Sequence, residues 1–246
     1  MKGGKGMKQI DAQGMEFEAL NRLVRQTDGD VEICSCLGQR FIGAGLSEKN
    51  IVIHGVPGNA LGAYLDGAEI TVYGNVQDAV GDTMNDGSIT VYGGAGDAVG
   101  YAMRGGKIYI KGDVGYRAGI HMKAYREKQP IMIVGGKAGS FLGEYQAGGT
   151  IVVLGLTEYT GSIVGNFPCT GMHGGKMFLR SDCHDVCFPQ QVHAVPASKE
   201  DMTMIEGEIR SFCRCFGFAA KKVLDAPFTV VTPDSKNPYK QMYVAN

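Results

Sequence analysis

Cysteine and histidine are the residue types in this sequence best suited to bind a metal. The six cysteines that lie in close pairs are Cys34 and Cys36, Cys183 and Cys187, and Cys213 and Cys215. Thiolates and imidazoles hold zinc and iron–sulfur clusters, so His173 or His184 could complete a ligand set. However, no pair has the C-x2-C spacing typical of structural zinc. We therefore expect no metal in this chain, with Cys183, His184 and Cys187 as the weak candidates.

Residues for acid–base chemistry or nucleotide binding are also isolated. His121, Lys123 and His173 could act as general acids or bases or bind an anion, but a lone histidine in a loop is commonly structural. No Ser/His/Asp arrangement or pair of carboxylates is evident, so we assign no catalytic residue. The run Gly93-Gly-Ala-Gly96 lacks the following helix and the later acidic residue of a dinucleotide site. The sequence therefore predicts no cofactor-binding residue.

The composition excludes several classes of partner. The chain has 246 residues and a formal net charge of −1, which argues against binding to nucleic acid or an anionic membrane. It contains no apolar run long enough to span a bilayer and no signal-peptide core. Its seven cysteines are odd in number, which favours free thiols in a reducing compartment. We expect a cytoplasmic protein.

A repeat of about twenty residues dominates the region between residues 51 and 155. Each copy opens with isoleucine and reaches glycine four residues later, and a β-branched residue stands between them. The six copies are Ile51–Gly55, Ile70–Gly74, Ile89–Gly93, Ile108–Gly112, Ile131–Gly135 and Ile151–Gly155. Two further columns follow in the first four copies: glycine at 62, 81, 100 and 119, and leucine or methionine at 65, 84, 103 and 122. Such self-similarity is typical of a solenoid.

The pattern within a copy predicts β-structure. Apolar residues alternate with period two, and no segment between the isoleucines has the length, periodicity and caps of a crossover helix. We predict an all-β, single-stranded, right-handed parallel β-helix of about six to seven rungs with ~19–20 residues per rung. The isoleucines should stack in its dry interior. The glycines should lie where the coil bends or where two rungs approach closely, and the methionines should fill the corners.

The two ends of the chain follow other patterns. Residues 1–30 should form a tail and a capping helix, residues 31–195 the β-helix, and residues 196–246 a helix and an extended tail. The second helix begins with a capping box at Ser198-Lys-Glu-Asp201 and should end at Gly217. A four-residue insertion in the fourth repeat, within residues 121–130, should project as a loop.

Three stretches resemble the C-terminal GXGXG domain of the glutamate synthase large subunit. They are Gly135–Gly155, Gly74–Gly81 and Gly105–Ile110, and the likeness extends over roughly residues 31–195. The resemblance implies a right-handed β-helix without catalytic residues. In that family the domain packs against a glutamine amidotransferase domain and an FMN/iron–sulfur synthase domain. Neither is present here, because the first cysteine is Cys34 and no cluster-binding cysteine run occurs.

The resemblance therefore implies a non-catalytic scaffold subunit that docks separate amidotransferase and FMN/iron–sulfur synthase chains. FMN and the iron–sulfur cluster would lie on those partners, and self-association stays open. A related domain in formylmethanofuran dehydrogenase supplies one alternative, a β-helix subunit of another oxidoreductase. A Cys/His metal-binding protein is the other alternative.

Overall fold

The computed structural model describes residues 7–157 and 161–236, which form eleven strands and three helices. In chain order the elements are β1 (Lys8–Asp11), α1 (Phe17–Gln26), β2 (Val31–Leu37), β3 (Asn50–Val56), β4 (Asp66–Tyr73), β5 (Asp86–Val91), β6 (Lys107–Ile110), β7 (Ile131–Val134), β8 (Ala147–Val153), β9 (Gly174–Leu179), β10 (Val192–Pro196), α2 (Lys199–Phe216), α3 (Ala220–Leu224) and β11 (Thr229–Pro233).

Strands β1 to β9 pair in sequence order, each parallel to the next, as successive rungs of a β-solenoid. The predicted fold class is confirmed, with about eight turns instead of six to seven. A second, narrower ladder of parallel bridges runs through Val76, Ala95, Val114, Ala138 and Val164. At the last rung the sheet changes direction, because β11 lies between β9 and β10 and is antiparallel to both.

The interior contains the ladder that the repeat predicts. Ile51, Ile70, Ile89 and Ile108 are in register on consecutive strands, and each is at most 1% exposed. The second apolar position of the first four repeats is buried in the same interior, as at Val72. Burial of each such side chain stabilises the fold by roughly 1.5–3 kcal/mol. One continuous apolar cluster therefore runs along the inside of the coil.

The fifth repeat corrects the predicted register. Ile108 pairs with Met132, and Ile131 pairs with the exposed Lys107. Met132 is fully buried in the interior, whereas Ile131 is half-buried on the outer side of the sheet. The assignment of Ile131 to the inward column was wrong by one residue. The longer loop before β7 shifts the register of the strand by one position, so Met132 takes the inward place.

The predicted corner columns are confirmed. Gly62, Gly81, Gly100 and Gly119 have φ between 64° and 70°, a conformation that favours glycine. A Cβ at Gly62 would lie 2.6 Å from Cδ1 of Ile89. The corner residues Leu65, Met84, Met103 and Met122 are fully buried.

The N-terminal region closes one end of the coil. Leu20 and Val24 of α1 are buried in the solenoid cluster, as the apolar stripe predicts. Residues 1–30 were predicted to form only a tail and a helix, but β1 begins at Lys8 and is the first strand of the ladder. Residues 1–6 lie outside the described residues.

The C-terminal helix covers the outer side of the later rungs. Ser198 and Asp201 form the predicted capping box, and Gly217 ends α2 in the left-handed conformation. Ile209 and Phe212 of α2 pack against Tyr109 and neighbouring side chains of β7, β8 and β9, which makes a second apolar cluster. The short α3 was not predicted. The predicted domain boundary at residues 195/196 falls inside β10, and the part of the predicted extended tail after residue 236 lies outside the described residues.

Two ion pairs fix α2 to the sheet. Glu208 accepts a hydrogen bond from Lys107 Nζ at 2.6 Å and another from the Tyr109 hydroxyl. Burial acts to raise the pKa of Glu208, but these two hydrogen bonds outweigh it and hold the pKa below its ordinary value. Asp201 accepts a hydrogen bond from Lys176 Nζ at 2.7 Å, which lowers the pKa of Asp201, aided by Ser198.

Candidate functional site

The candidate metal ligands do not form a site. Cys183 is buried, His184 and Cys187 are exposed, and His184 Nε2 lies 3.3 Å from a carboxylate oxygen of Asp182. Burial raises the pKa of Cys183, which keeps the thiol protonated and weakens it as a ligand. Within residues 7–157 and 161–236, no group of three or more His, Cys, Asp or Glu side chains could hold a metal ion.

The other cysteine pairs are dispersed as well. Cys213 is buried under α2 while Cys215 is exposed, so the two thiols point to different sides of the helix. On β2, Cys36 is buried and its pKa is raised to about 11 by burial. The buried thiols of Cys36 and Cys213 contribute to packing.

The candidate acid–base residues also lie apart. His121 lies between two tyrosines: its ring stacks on Tyr145 at 5.3 Å between centroids and meets Tyr101 edge-on at 5.9 Å. His173 Nδ1 is 2.9 Å from the carbonyl oxygen of Gly171. His173 lines an open groove of about 950 Å³ that also contains Lys176, which is already paired with Asp201.

The repeated glycines are explained by a ladder of side chains that joins neighbouring rungs. Asp78 Oδ1 accepts the backbone N–H of Asp97 at 2.9 Å, and Asp97 Oδ1 accepts the N–H of Tyr116 at 2.8 Å. These carboxylates fold over the rung that they bind. A Cβ at Gly96 would lie 2.1 Å from Asp78 Oδ1, and one at Gly115 would lie 2.1 Å from Asp97 Oδ1. Glycine is therefore required at these two positions, because the carboxylate of the preceding rung occupies the space that a side chain would need.

A parallel ladder repeats this device one column away. Asn75 Oδ1 accepts the N–H of Gly94 at 2.9 Å and would lie 2.3 Å from a Cβ at Gly93. Asp113 Oδ1 accepts the N–H of Lys137 and would lie 1.9 Å from a Cβ at Gly136. The sequence predicted bends or close approach of rungs at the glycines, but it did not show that an Asp or Asn side chain and the glycine of the next repeat pack together as one unit.

One side of the solenoid exposes many large aromatic side chains, and we call it the tyrosine face. It comprises residues 40–46, 59–65, 78–84, 97–103, 116–122, 140–146 and 166–172, which are equivalent segments of successive rungs. The large aromatic side chains at least 36% exposed on it are Phe41, Tyr64, Tyr101, Tyr116 and Phe167.

The sequence-based reasoning missed the tyrosine face. A usable signal was present, since Tyr64, His121 and Tyr145 each stand two residues after a corner glycine, where a ring must point out of the coil.

No helix in the described part of the chain has the length and apolar character needed to cross a bilayer.

Comparisons with known proteins agree with this architecture. The model of the GXGXG motif family matches residues 17–234. An uncharacterised protein of Methanocaldococcus jannaschii is 38% identical over 255 aligned positions, which cover 97% of this chain and 98% of that protein.

A solved structure also matches: one chain of the formyltransferase/hydrolase complex from Methylorubrum extorquens, crystallised in complex with methylofuran. The TM-score is 0.63 at 21% identity, over 94% of this chain and 92% of that chain. This likeness concerns the fold. With its solenoid, its Asp–Gly ladder and a family match over most of its length, the chain belongs to the GXGXG motif family.

Proposed function

We propose that this chain is a non-catalytic scaffold subunit of a glutamate synthase-type complex in the cytoplasm. A separate glutamine amidotransferase chain would release ammonia, and a separate FMN/iron–sulfur synthase chain would use it to make glutamate. The FMN and the cluster would belong to the synthase chain. This subunit would supply the rigid surface on which the two are placed.

The observation that carries the proposal is the packing at the family's characteristic glycines. The space beside Gly96, Gly115 and Gly136 is occupied by a side chain of the preceding rung, so these glycines let the rungs pack closely and leave no cavity for a ligand. A solenoid stiffened in this way is suited to hold other proteins in fixed positions. The match to one chain of a multi-chain complex supports the same role.

A second candidate is a β-helix subunit of a formylmethanofuran dehydrogenase-like oxidoreductase. The observation that favours it is the fold match to a chain of the formyltransferase/hydrolase complex. Both candidates share the scaffold role and differ in the chemistry of the partner chains.

Purification of the full chain, tagged and produced in its native cells, tests the proposal. We expect co-purifying chains in fixed stoichiometry, bound FMN and iron, and glutamine-dependent formation of glutamate from 2-oxoglutarate. A complex that instead processes formyl groups supports the second candidate and overturns the first. Recovery of the chain alone, or of catalysis by the isolated chain, contradicts the scaffold role itself.

A further inference from the structure

We infer that the tyrosine face is the surface by which this chain binds a separate protein, and that the opposing surface of that protein carries arginine or lysine. The inference deepens the proposed function and rests on it. It identifies which side of the solenoid docks a partner and the chemistry of what lies against it.

The aromatic content of the face is the first reason. Tyrosine and phenylalanine are enriched at the centres of protein interfaces, where they bury large areas at a small cost in side-chain entropy. Tyr64 is 58% exposed, Tyr116 is 55% exposed and Phe167 is 61% exposed, and all three stand on this one side. The strand face of the early rungs, by comparison, exposes the ring of Tyr73.

The face is also held rigid before any partner binds. The N–H of Tyr64 donates to the carbonyl of Asp82 at 2.7 Å, and the N–H of Thr83 donates to the carbonyl of Tyr101 at 2.7 Å. Such bonds link the rungs across the face. A surface fixed in this way loses little conformational entropy on association, which favours binding.

The length of the face suits a protein interface. Seven rungs spaced about 4.8 Å apart give it a length of about 30 Å.

The charge of the face defines the partner. Three neighbouring segments, 59–65, 78–84 and 97–103, contain Asp78, Asp82 and Asp97 and no basic residue. The two arginines of the face are engaged: Arg40, in the first segment, lies over the Phe17 ring at 4.7 Å, and Arg117 Nε, in the fifth segment, lies 3.0 Å from a Glu144 oxygen. Carboxylates covered by a partner lose hydration, so the partner must present cations to them.

This acidic patch disfavours a second copy bound with the same segments opposed. In a two-fold contact centred on these segments, Asp78, Asp82 and Asp97 would lie near their own equivalents, and repulsion between like charges would oppose that pairing. The occupant that the charges favour is a different protein with a basic surface.

The test compares variants of the full chain in the native complex. The Tyr64→Ala/Tyr101→Ala variant removes two exposed rings from the face. Tyr73→Ala is the matched control, because Tyr73 is 48% exposed and lies outside the face. Each variant is purified by its tag, the recovered partner chains are quantified, and the melting temperature is measured.

We expect the double variant to retain at least tenfold less partner at an unchanged melting temperature, while Tyr73→Ala retains wild-type amounts. Asp82→Arg should also retain less of the partner chain, whereas Glu69→Arg, at an exposed position of β4, should retain the wild-type amount.

Wild-type retention by both face variants overturns the inference and leaves the scaffold role intact. If wild type itself recovers no partner, the proposed function fails together with the inference. A dimer of the purified chain that the double variant abolishes would assign the face to a second copy and overturn the occupant named here.

Discussion

At the scale of single residues, the glycine spacing of the family is a packing rule between rungs. The carboxylate of one rung caps an N–H of the next and occupies the volume that a side chain there would need. The glycine columns could be predicted from the sequence because glycine recurs at fixed spacing. The physical reason for them could not be predicted, since the acidic residue and its glycine are separated by a whole turn of the coil.

The replacement Gly96→Ala tests this rule. The new Cβ would meet Asp78 Oδ1 at 2.1 Å, so the carboxylate must move and its hydrogen bond to the Asp97 N–H is lost. We expect the free energy of unfolding to fall by about 1–3 kcal/mol in denaturant titrations. Added to Asp78→Ala, the same change should cost less, because the clash with the carboxylate is gone and only the Gln77 backbone, at 3.2 Å, remains close. Gly207→Ala is the control: nothing lies within 4 Å of that Cβ, and alanine should stabilise α2 by about 0.5–1 kcal/mol. Equal costs of Gly96→Ala with and without Asp78 would refute the rule.

Backbone conformation at the corners could be predicted only in part. Positive φ was expected at the glycines and is found there, but Ala79, Arg117 and Tyr145 adopt it too, at 58°, 57° and 53°. This conformation disfavours residues with a Cβ by roughly 1–2 kcal/mol. Local propensity therefore gives no sign of positive φ at these three residues. The hydrogen bonds that each corner makes to the next rung impose this conformation.

At the scale of elements, the register of β7 shows where pattern reading fails. The stretch Ile131-Met-Ile-Val134 is apolar at every position, so alternation cannot say which side faces inward. Strands with a polar outer row, such as β4 and β5, were placed correctly. In β7 the outer row is apolar because α2 covers it, which removes the contrast that marks the interior.

A pair of charge substitutions discriminates the two registers. Met132→Asp would bury an unpaired carboxylate in the solenoid interior and should cost about 4 kcal/mol or more, as should Ile89→Asp. Ile131→Asp places the charge at a half-buried outer position and should cost clearly less. The readout is the melting temperature of each purified variant. The reverse order of Met132 and Ile131 would restore the register predicted from the sequence.

At the scale of the whole molecule, two apolar cores share one sheet. The inner core fills the coil, and the outer core lies between the later rungs and the C-terminal helices. The helix α2 could be predicted to within a residue, because its capping box, its apolar stripe and Gly217 are all local signals. Its position on the sheet could not, since that depends on contacts such as Glu208 with Tyr109, which are 99 residues apart.

The pairing of Glu208 makes the attachment of α2 sensitive to acid. The pKa of Glu208 in the folded protein lies below its ordinary value of 4.5. Its stabilisation is therefore complete above that value and is lost as the pH falls through the lower folded pKa. We expect Glu208→Gln to lower the free energy of unfolding by about 1–2 kcal/mol at neutral pH and to differ less from wild type in acid. Unfolding curves between neutral pH and strongly acidic pH measure this, and a difference that does not shrink would exclude the role of Glu208.

The reversal of direction at the last rung has a consequence for growth of the sheet. A coil of similar rungs offers its terminal strand as a template, and a second molecule could extend it in parallel into a filament. Here the final strand β10 is antiparallel to its neighbour, and alternation from the hydrogen bonds at Gln191 and Ala197 turns the Pro196 nitrogen, which carries no hydrogen, towards the free edge. Two reversals bring β10 back to the direction of β1 to β9, so strand direction does not oppose the addition of another copy of β1. What opposes it is the missing donor at Pro196, which removes one hydrogen bond from such an end-to-end pairing.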